Sequence, residues 1–174
     1  MLRLFRISPN RAAAFEPQDS IFPGYQAPVI RSATDGEREL VGMHWGFPLL
    51  MKGYAPRRVT NFRDDKARSS GMWRQSFEQR RCLVPATSFC EPNDGRAKGE
   101  KATWHWFALK GADPRPPYAF AGIWRTYTGP VKKDGATVTQ DVYSFLTTDP
   151  NAATISINHK RSPVILASEA DQQT

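Results

Sequence analysis

The sequence predicts an α+β fold, a single domain over residues 1–174 with a mainly antiparallel pseudo-barrel sheet and a few short helices. The 14 prolines and 12 glycines are scattered along the chain, which favours many short elements joined by turns. Several segments show the alternation or the β-branched and aromatic content of strands. Strands and helices do not alternate regularly, which argues against a Rossmann or TIM arrangement.

The first part of the chain predicts one β-hairpin after a stretch with little regular structure. Residues 1–15 give a short, weak helical signal, and residues 16–28 form a turn-rich link. Residues 29–31 and 39–45 are predicted to pair as a hairpin, because an Asp-Gly pair at 35–36 stands between two apolar runs.

The middle of the chain predicts one helix and two strands between loops. Residues 46–60 are loop-like. Residues 65–80 are predicted to be helical, because apolar side chains, Trp73 and Phe77 among them, stand between charged ones. The elements that follow are two short strands and a polar loop, at 81–85, 87–91 and 93–101.

Four more strands are predicted in the last part of the chain, at 104–109, 119–127, 141–147 and 162–166. Residues 128–140 are predicted to be a mobile hairpin loop. The five tryptophans are expected mainly to fill the core, as they usually do in the strands of a small domain, and base stacking is assigned to none of them.

The net charge of +7 and the isoelectric point of about 9.7 favour an anionic partner, with nucleic acid first. The alternative is that this charge only keeps the protein soluble. The two cysteines predict neither a disulfide scaffold nor a zinc site, so we expect a reduced, cytoplasmic compartment and no metal or cofactor. No window approaches the ~20 apolar residues of a membrane span, so no membrane partner is expected.

Five polar residues inside otherwise apolar or structured segments are candidate site residues: Asn61, Arg63, Glu91, His159 and Arg161. Taken singly, each of these residues has a simpler, non-catalytic interpretation. A Glu at a strand end is most often solvated, a His beside Lys and Arg is more often a surface residue, and an Asn before an aromatic often serves a turn. Together they offer an acid/base pair, an amide donor and cations for phosphate.

Cys90 next to Glu91 suggests a second interpretation, a cysteine hydrolase with His159 as its base. In an extended segment Cys90 and Glu91 point to opposite faces, which argues against it. Free cysteine is also among the most buried residue types, so a packing role is the simpler expectation for Cys90, and more so for Cys82.

Seven stretches occur in the order found in one known family: 24–28, 44–48, 60–63, 81–91, 119–124, 145–152 and 157–166. In this ordered set the chain resembles the SRAP family, the SOS response-associated peptidases or abasic-site processing proteins. One such motif alone is a weak signal, whereas the ordered set is a strong one.

The resemblance implies one α+β domain with a positively charged cleft for single-stranded DNA. Such proteins trap abasic sites, whose ring-opened sugar is an aldehyde. The α-amine and thiol of a cysteine directly after the initiator Met close onto that aldehyde as a thiazolidine, a stable protein–DNA crosslink. The same cysteine is held to release itself from the chain, which gives the family its peptidase name.

The family's residue roles carry over by motif match. Asn61 is implied to hold the N-terminal group and the sugar, and Glu91 to be the acid/base for Schiff-base formation. His159 is implied to assist sugar ring opening and later proton transfer. Arg63 and Arg161 are implied to bind phosphates.

Position 2 departs from the family pattern, because it is Leu2 instead of Cys. We therefore expect that this polypeptide forms no thiazolidine, and that the N-terminal strand with the nucleophile and the C-terminal end are missing. The presence of Asn61, Glu91 and His159 favours a truncated enzyme over a drifted paralogue. A missing strand leaves an exposed edge, which makes a dimer through that edge a further expectation.

The first interpretation is thus a protein of the DNA damage (SOS) response that acts on single-stranded DNA with abasic sites and lacks its crosslinking nucleophile. The alternative of another class is a non-catalytic, single-stranded nucleic-acid-binding module.

Overall fold

The computed structural model describes residues 2–94, 97, 99–111 and 114–173. Within them the strands are β1 Gln26–Ser32, β2 Arg38–Trp45, β3 Phe47–Leu49, β4 Arg57–Val59, β5 Asn61–Arg63, β6 Arg81–Ala86, β7 Phe89–Pro92, β8 Trp104–Phe107, β9 Tyr118–Pro130, β10 Thr137–Thr148, β11 Ser162–Pro163 and β12 Ile165–Leu166. The α-helices are α1 Arg74–Gln79 and α2 Ala152–Ile155, and short 3-10 helices occur at Pro9–Arg11, Asp64–Lys66 and Asp171–Gln173. Among the described residues, no helix is long and apolar enough to cross a bilayer.

Five strands close into a barrel in the order β10, β2, β1, β6, β9, with β9 pairing back onto β10. The pairs in the barrel are antiparallel except for β10 with β2, which is parallel. Outside the barrel, β5 pairs in parallel with the C-terminal part of β10, residues 145–147. The predicted α+β class, a barrel-like sheet with few short helices, is confirmed. Each of the five barrel strands has a paired neighbour on both sides, so none of these five strands has an exposed edge. The dimer expected through an exposed edge stays a prediction for the strands outside the barrel.

The first predicted hairpin is confirmed and extended. β1 and β2 pair with Ile30 opposite Leu40 and Arg31 opposite Glu39. Gly36 has a φ of +85°, a conformation that glycine adopts at no steric cost, so the predicted turn position holds.

The predicted mobile loop at 128–140 is wrong over much of its length. β9 continues to Pro130 and β10 begins at Thr137, so the connection is residues 131–136. The Thr128 and Thr139 hydroxyls face each other across the two strands at 3.0 Å. β-branched residues favour extended backbone, which explains why the strands continue.

The predicted helix at 65–80 is correct only in part, because its helical parts are a 3-10 turn at Asp64–Lys66 and the six-residue α1. Residues 69–71, Ser-Ser-Gly, lie between them and favour turns over helix. The loop predicted at 46–60 contains the β3–β4 pair, and the strand predicted at 162–166 is divided between β11 on β10 and β12 on β9. The predicted loop at 93–101 includes residues 95, 96 and 98, which lie outside the described residues.

Aromatic side chains fill the core that supports β5. Phe62 of β5 is 3% exposed and packs on Trp73 and Phe77, with ring centroids 5.4 and 6.3 Å away. Two of the tryptophans expected in the core are on the surface instead, because Trp104 and Trp106 of β8 are 60% and 59% exposed. Cys82 is buried in the barrel core, as predicted.

Candidate active site

Glu91 lies on β7 and is held by the packing of its hairpin. β7 pairs with β8 so that Glu91 is opposite His105. Phe89, two residues earlier, lies on the same face of the strand. It stacks on Phe107 at 5.0 Å and meets Phe120 of the barrel edge-on at 5.7 Å. Because this face packs against the barrel, the Glu91 side chain is turned inward and is only 19% exposed.

His159 follows α2 and is placed by the end of that helix. Asn158 has a φ of 57°, a left-handed conformation that Asn adopts more readily than most residues. The N–H of Asn158 donates to the Ile155 carbonyl, and the N–H of His159 donates to the Thr154 carbonyl, both at 2.9 Å. These two bonds form a Schellman motif, which fixes the backbone from which the imidazole projects.

The His159 imidazole lies between two carboxylates. Its Nε2 atom is 3.4 Å from Oε2 of Glu91, and its Nδ1 atom is 3.0 Å from Oδ2 of Asp94. The Asp94 oxygen is within ion-pair distance but lies off the direction of the ring N–H, so Nδ1 has no hydrogen bond of good geometry among the described residues. Burial raises the pKa of Glu91, an effect that His159 opposes and Asp94 reinforces. Glu91 is therefore suited to hold a proton next to an imidazole that can take it.

The same three side chains do not form a metal site. The two carboxylates contact different nitrogens of one imidazole, and these nitrogens point away from each other, so one ion cannot bind all three groups. Across the described residues, no group of three or more His, Cys, Asp or Glu side chains could hold a metal ion.

Asn61 and Arg63 lie on β5, on either side of buried Phe62. Side chains alternate along a strand, so Asn61 and Arg63 share the exposed face while Phe62 packs inward on Trp73. In the parallel register with β10, Arg63 is opposite Thr147. β5 therefore presents an amide and a guanidinium side by side at the surface.

The two predicted phosphate-binding arginines are each paired with carboxylates. Arg63 donates to both oxygens of Asp65 at 2.9 and 3.0 Å. Arg161 donates to Asp149 at 3.0 Å and to Asp64 at 2.5 Å. These five residues line an open cleft of about 480 Å³. Three carboxylates against two guanidinium groups leave the cleft lining with a net negative charge, although the chain is basic.

Asp64 and Asp65 are charged at neutral pH. The Thr148 hydroxyl and the Arg161 guanidinium lower the pKa of Asp64 to about 2. The Arg63 guanidinium likewise lowers the pKa of Asp65. A phosphate that approaches either arginine must therefore compete with a carboxylate already bound to it.

The structure brings the predicted residues together in two groups. Glu91 and His159 are in contact, and Arg161, two residues after His159, lies in the same cleft as Arg63. Arg161 also donates to the Thr147 carbonyl at 2.7 Å, which ties it to the strand beside β5. Among the described residues, no hydrogen bond joins Asn61 to Glu91 or His159.

The cysteine hydrolase interpretation is not favoured. Cys90 pairs across the hairpin with Trp106, whereas Glu91 pairs with His105, so the two side chains lie on opposite faces. Burial and the charge of Glu91 both raise the pKa of the Cys90 thiol, which disfavours the reactive thiolate.

Sequence reasoning missed Asp94 and the aspartates that pair with the arginines. Asp94 stands in a polar, glycine-containing segment, where no local pattern distinguishes it from a loop residue. The i, i+2 spacing of Arg63 and Asp65 could have indicated their pairing. Asp149 and Arg161 are joined only by the fold.

Comparison with known proteins places the whole chain in one group. The family model described as "SOS response associated peptidase (SRAP)" matches residues 2–174. A comparison with curated proteins finds no match.

Three solved structures share the fold. A protein from Bordetella bronchiseptica is 24% identical with a TM-score of 0.65, and the match covers 93% of this chain and 77% of that one. A phage-related protein from the same organism is 21% identical with a TM-score of 0.65, covering 99% and 74%. A protein from Bacteroides thetaiotaomicron is 22% identical with a TM-score of 0.61, covering 86% of this chain and 62% of that one.

Proposed function

Because the chain belongs to the SOS response-associated peptidase (SRAP) family, we propose that it binds single-stranded DNA at abasic sites and supports a covalent protein–DNA linkage there. The observation that carries this proposal is the contact between Glu91 and His159 at 3.4 Å, which joins the two acid/base residues that the family motifs single out. An inward-facing carboxyl with a raised pKa beside an imidazole is suited to proton transfer at a sugar.

The chemistry requires several proton transfers and no outside oxidant or reductant. His159 assists opening of the abasic sugar by moving a proton to the ring oxygen as the aldehyde forms. An amine then adds to the aldehyde carbon, and Glu91 donates the proton with which the hydroxyl leaves as water, giving a Schiff base. Addition of a thiol to that carbon–nitrogen double bond closes the thiazolidine. Position 2 is Leu2, so we propose that crosslinking requires an N-terminal cysteine supplied ahead of it.

Binding of the DNA backbone rests on the exposed face of β5 and the neighbouring cleft. Arg63 is 57% exposed, so a phosphate can reach it, and Asn61 lies beside it on the same face. Arg161 is 19% exposed and is paired with Asp64 and Asp149, so its main role is to hold these two aspartates of the cleft together. We propose that phosphate contact begins at Arg63 and that Asn61 positions the sugar.

A gel assay tests the proposed function. The chain as given and a version carrying Met-Cys at its N-terminus are each mixed with single-stranded DNA containing one abasic site. We expect a heat-stable crosslink only with the added cysteine, because only that version has both an α-amine and a thiol at its start. If neither version crosslinks but both shift the DNA at low salt, the covalent function is rejected in favour of the binding module.

Replacing Arg63 by Ala is expected to weaken single-stranded DNA binding for every sequence, because a phosphate contact carries no base information. The change also leaves the Asp65 carboxylate without its partner, which repels phosphate. The slope of log affinity against log salt concentration should fall in magnitude by about 0.7. Fluorescence anisotropy over a salt series measures this slope, with Lys133→Ala, an exposed cation on the β9–β10 turn, as the control. An unchanged slope in Arg63→Ala would exclude Arg63 from the DNA contact.

A further inference from the structure

Asp94 is a neighbour of His159 to which the proposed function gives no role. Its carboxylate lies 3.0 Å from Nδ1, on the side of the imidazole opposite Glu91. The Asp94 side chain is 33% exposed, so the contact is only partly open to water. The Nδ1 atom itself is buried, and a buried ring nitrogen needs a partner.

We propose that Asp94 is a positioning residue, whose carboxylate holds a proton on Nδ1 of His159 and thereby presents Nε2 to Glu91. An ionised carboxylate is acceptor-only, so it favours the tautomer with the proton on Nδ1. The neutral ring then has its lone pair on Nε2, facing the Glu91 carboxyl. The tautomer of a catalytic imidazole is commonly set by the partner of its other nitrogen.

This arrangement allows one proton to move directly between the Glu91 carboxyl and Nε2 of His159, without a third group to relay it. When Glu91 releases its proton to Nε2, an N–H bond forms, an O–H bond breaks, and the ring becomes an imidazolium between two carboxylates. The reverse step returns the proton to Glu91. The total charge of the three groups is the same before and after, so the charge moves without a change in the net charge of a poorly solvated site.

The fold holds both partners of the contact in place. The N–H of Asn93 donates to the Thr103 carbonyl at 3.0 Å, and the N–H of Thr103 donates to Oδ1 of Asn93 at 2.9 Å. These bonds fix the backbone immediately before Asp94. On the other side, the Schellman motif fixes His159.

The ring nitrogens of His159 provide a test that needs neither DNA nor crosslinking. The chain has three histidines, so ¹⁵N NMR of the imidazoles is simple, and His159→Gln assigns the His159 signals. As the pH is raised until the ring is neutral, we expect its proton on Nδ1. In Asp94→Ala we expect the neutral ring to move toward the Nε2–H tautomer. A native ring with its proton on Nε2, or a spectrum unchanged in Asp94→Ala, overturns the proposal.

Two further variants separate charge, shape and folding. Asp94→Asn keeps an acceptor oxygen and the shape of the side chain, so we expect the Nδ1–H tautomer to persist in it. Asp134→Asn removes a carboxylate from an exposed turn position with a φ of 55°, which Asn tolerates, and should leave the His159 signals unchanged. A shift in Asp134→Asn equal to that in Asp94→Ala contradicts a specific role for Asp94.

The kinetic consequence rests on the proposed function and is measured separately. In the version with the added cysteine, Asp94→Asn should lower the crosslinking rate by about tenfold or more, because a neutral amide stabilises the imidazolium that forms at His159 less than a carboxylate does. Single-stranded DNA affinity should stay unchanged. If the unmutated version does not crosslink, the proposed function fails, while the ring spectrum still decides the role of Asp94.

Discussion

Replacing Glu91 by Gln is expected to lower the crosslinking rate about 10²–10⁴-fold, the range that general acid–base catalysis contributes. Gln keeps the shape of the side chain and its inward orientation beside Phe89 but can neither give nor take the proton. The rate is measured by quenched gel assay in the version that carries an N-terminal cysteine. Single-stranded DNA affinity, measured in parallel, should stay near that of the unmutated chain, because Glu91 is largely enclosed.

Glu78→Gln is a matched control, since it makes the same change on α1, away from the imidazole. It should leave both the rate and the affinity unchanged. A crosslinking rate for Glu91→Gln within threefold or so of the unmutated rate would contradict the acid/base role of Glu91, since such a factor is below what this catalysis contributes.

Replacing Phe62 by Ala is expected to lower the free energy of unfolding by about 3–5 kcal/mol, the usual loss for truncating a fully buried Phe. Phe62 is 3% exposed and packs against both Trp73 and Phe77, so the cavity left behind is walled by rigid rings. Its neighbours on β5 are Asn61 and Arg63, so loss of this anchor should also weaken DNA binding. Equilibrium urea unfolding followed by circular dichroism measures the change.

Phe22→Ala provides the matched control within the same chain. Phe22 is 57% exposed and meets Tyr25 edge-on at 5.6 Å, so its truncation should cost at most about 1 kcal/mol. Equal losses in the two variants would contradict the view that Phe62 is the core anchor of β5.

Local sequence signals predicted those elements whose geometry depends on neighbouring residues. The Asp-Gly turn of the first hairpin is such a case, because the left-handed backbone at Gly36 is a property of that residue. The strand at 81–85 is another, since its apolar, β-branched content suits extended backbone in any buried setting. The helix predicted at 65–80 is interrupted because Ser-Ser-Gly at 69–71 favours turns, which the spacing of apolar residues does not reveal.

Which face of a strand is exposed was harder to predict than the presence of the strand itself. Trp104 and Trp106 do form a strand, as predicted, but their face of the hairpin is turned outward. The reason is that Phe107 of β8 stacks on Phe89 of the partner strand β7 on the other face, where Phe89 meets Phe120 of the barrel. A two-residue alternation gives two faces and does not say which of them meets the core.

By itself the sequence determined the family and the barrel-like class, because ordered motifs and strand patterns are present in the local residue order, and it predicted Glu91 and His159 as the acid/base residues. Only the tertiary structure decided which strands pair and which side chains of the site are in contact. It closed the barrel through the parallel pairing of β10 with β2, set Asp94 against Nδ1 of His159, and bound Arg161 to Asp64. These contacts join residues far apart in the chain, and they depend on strand register and core packing, which local propensity does not encode.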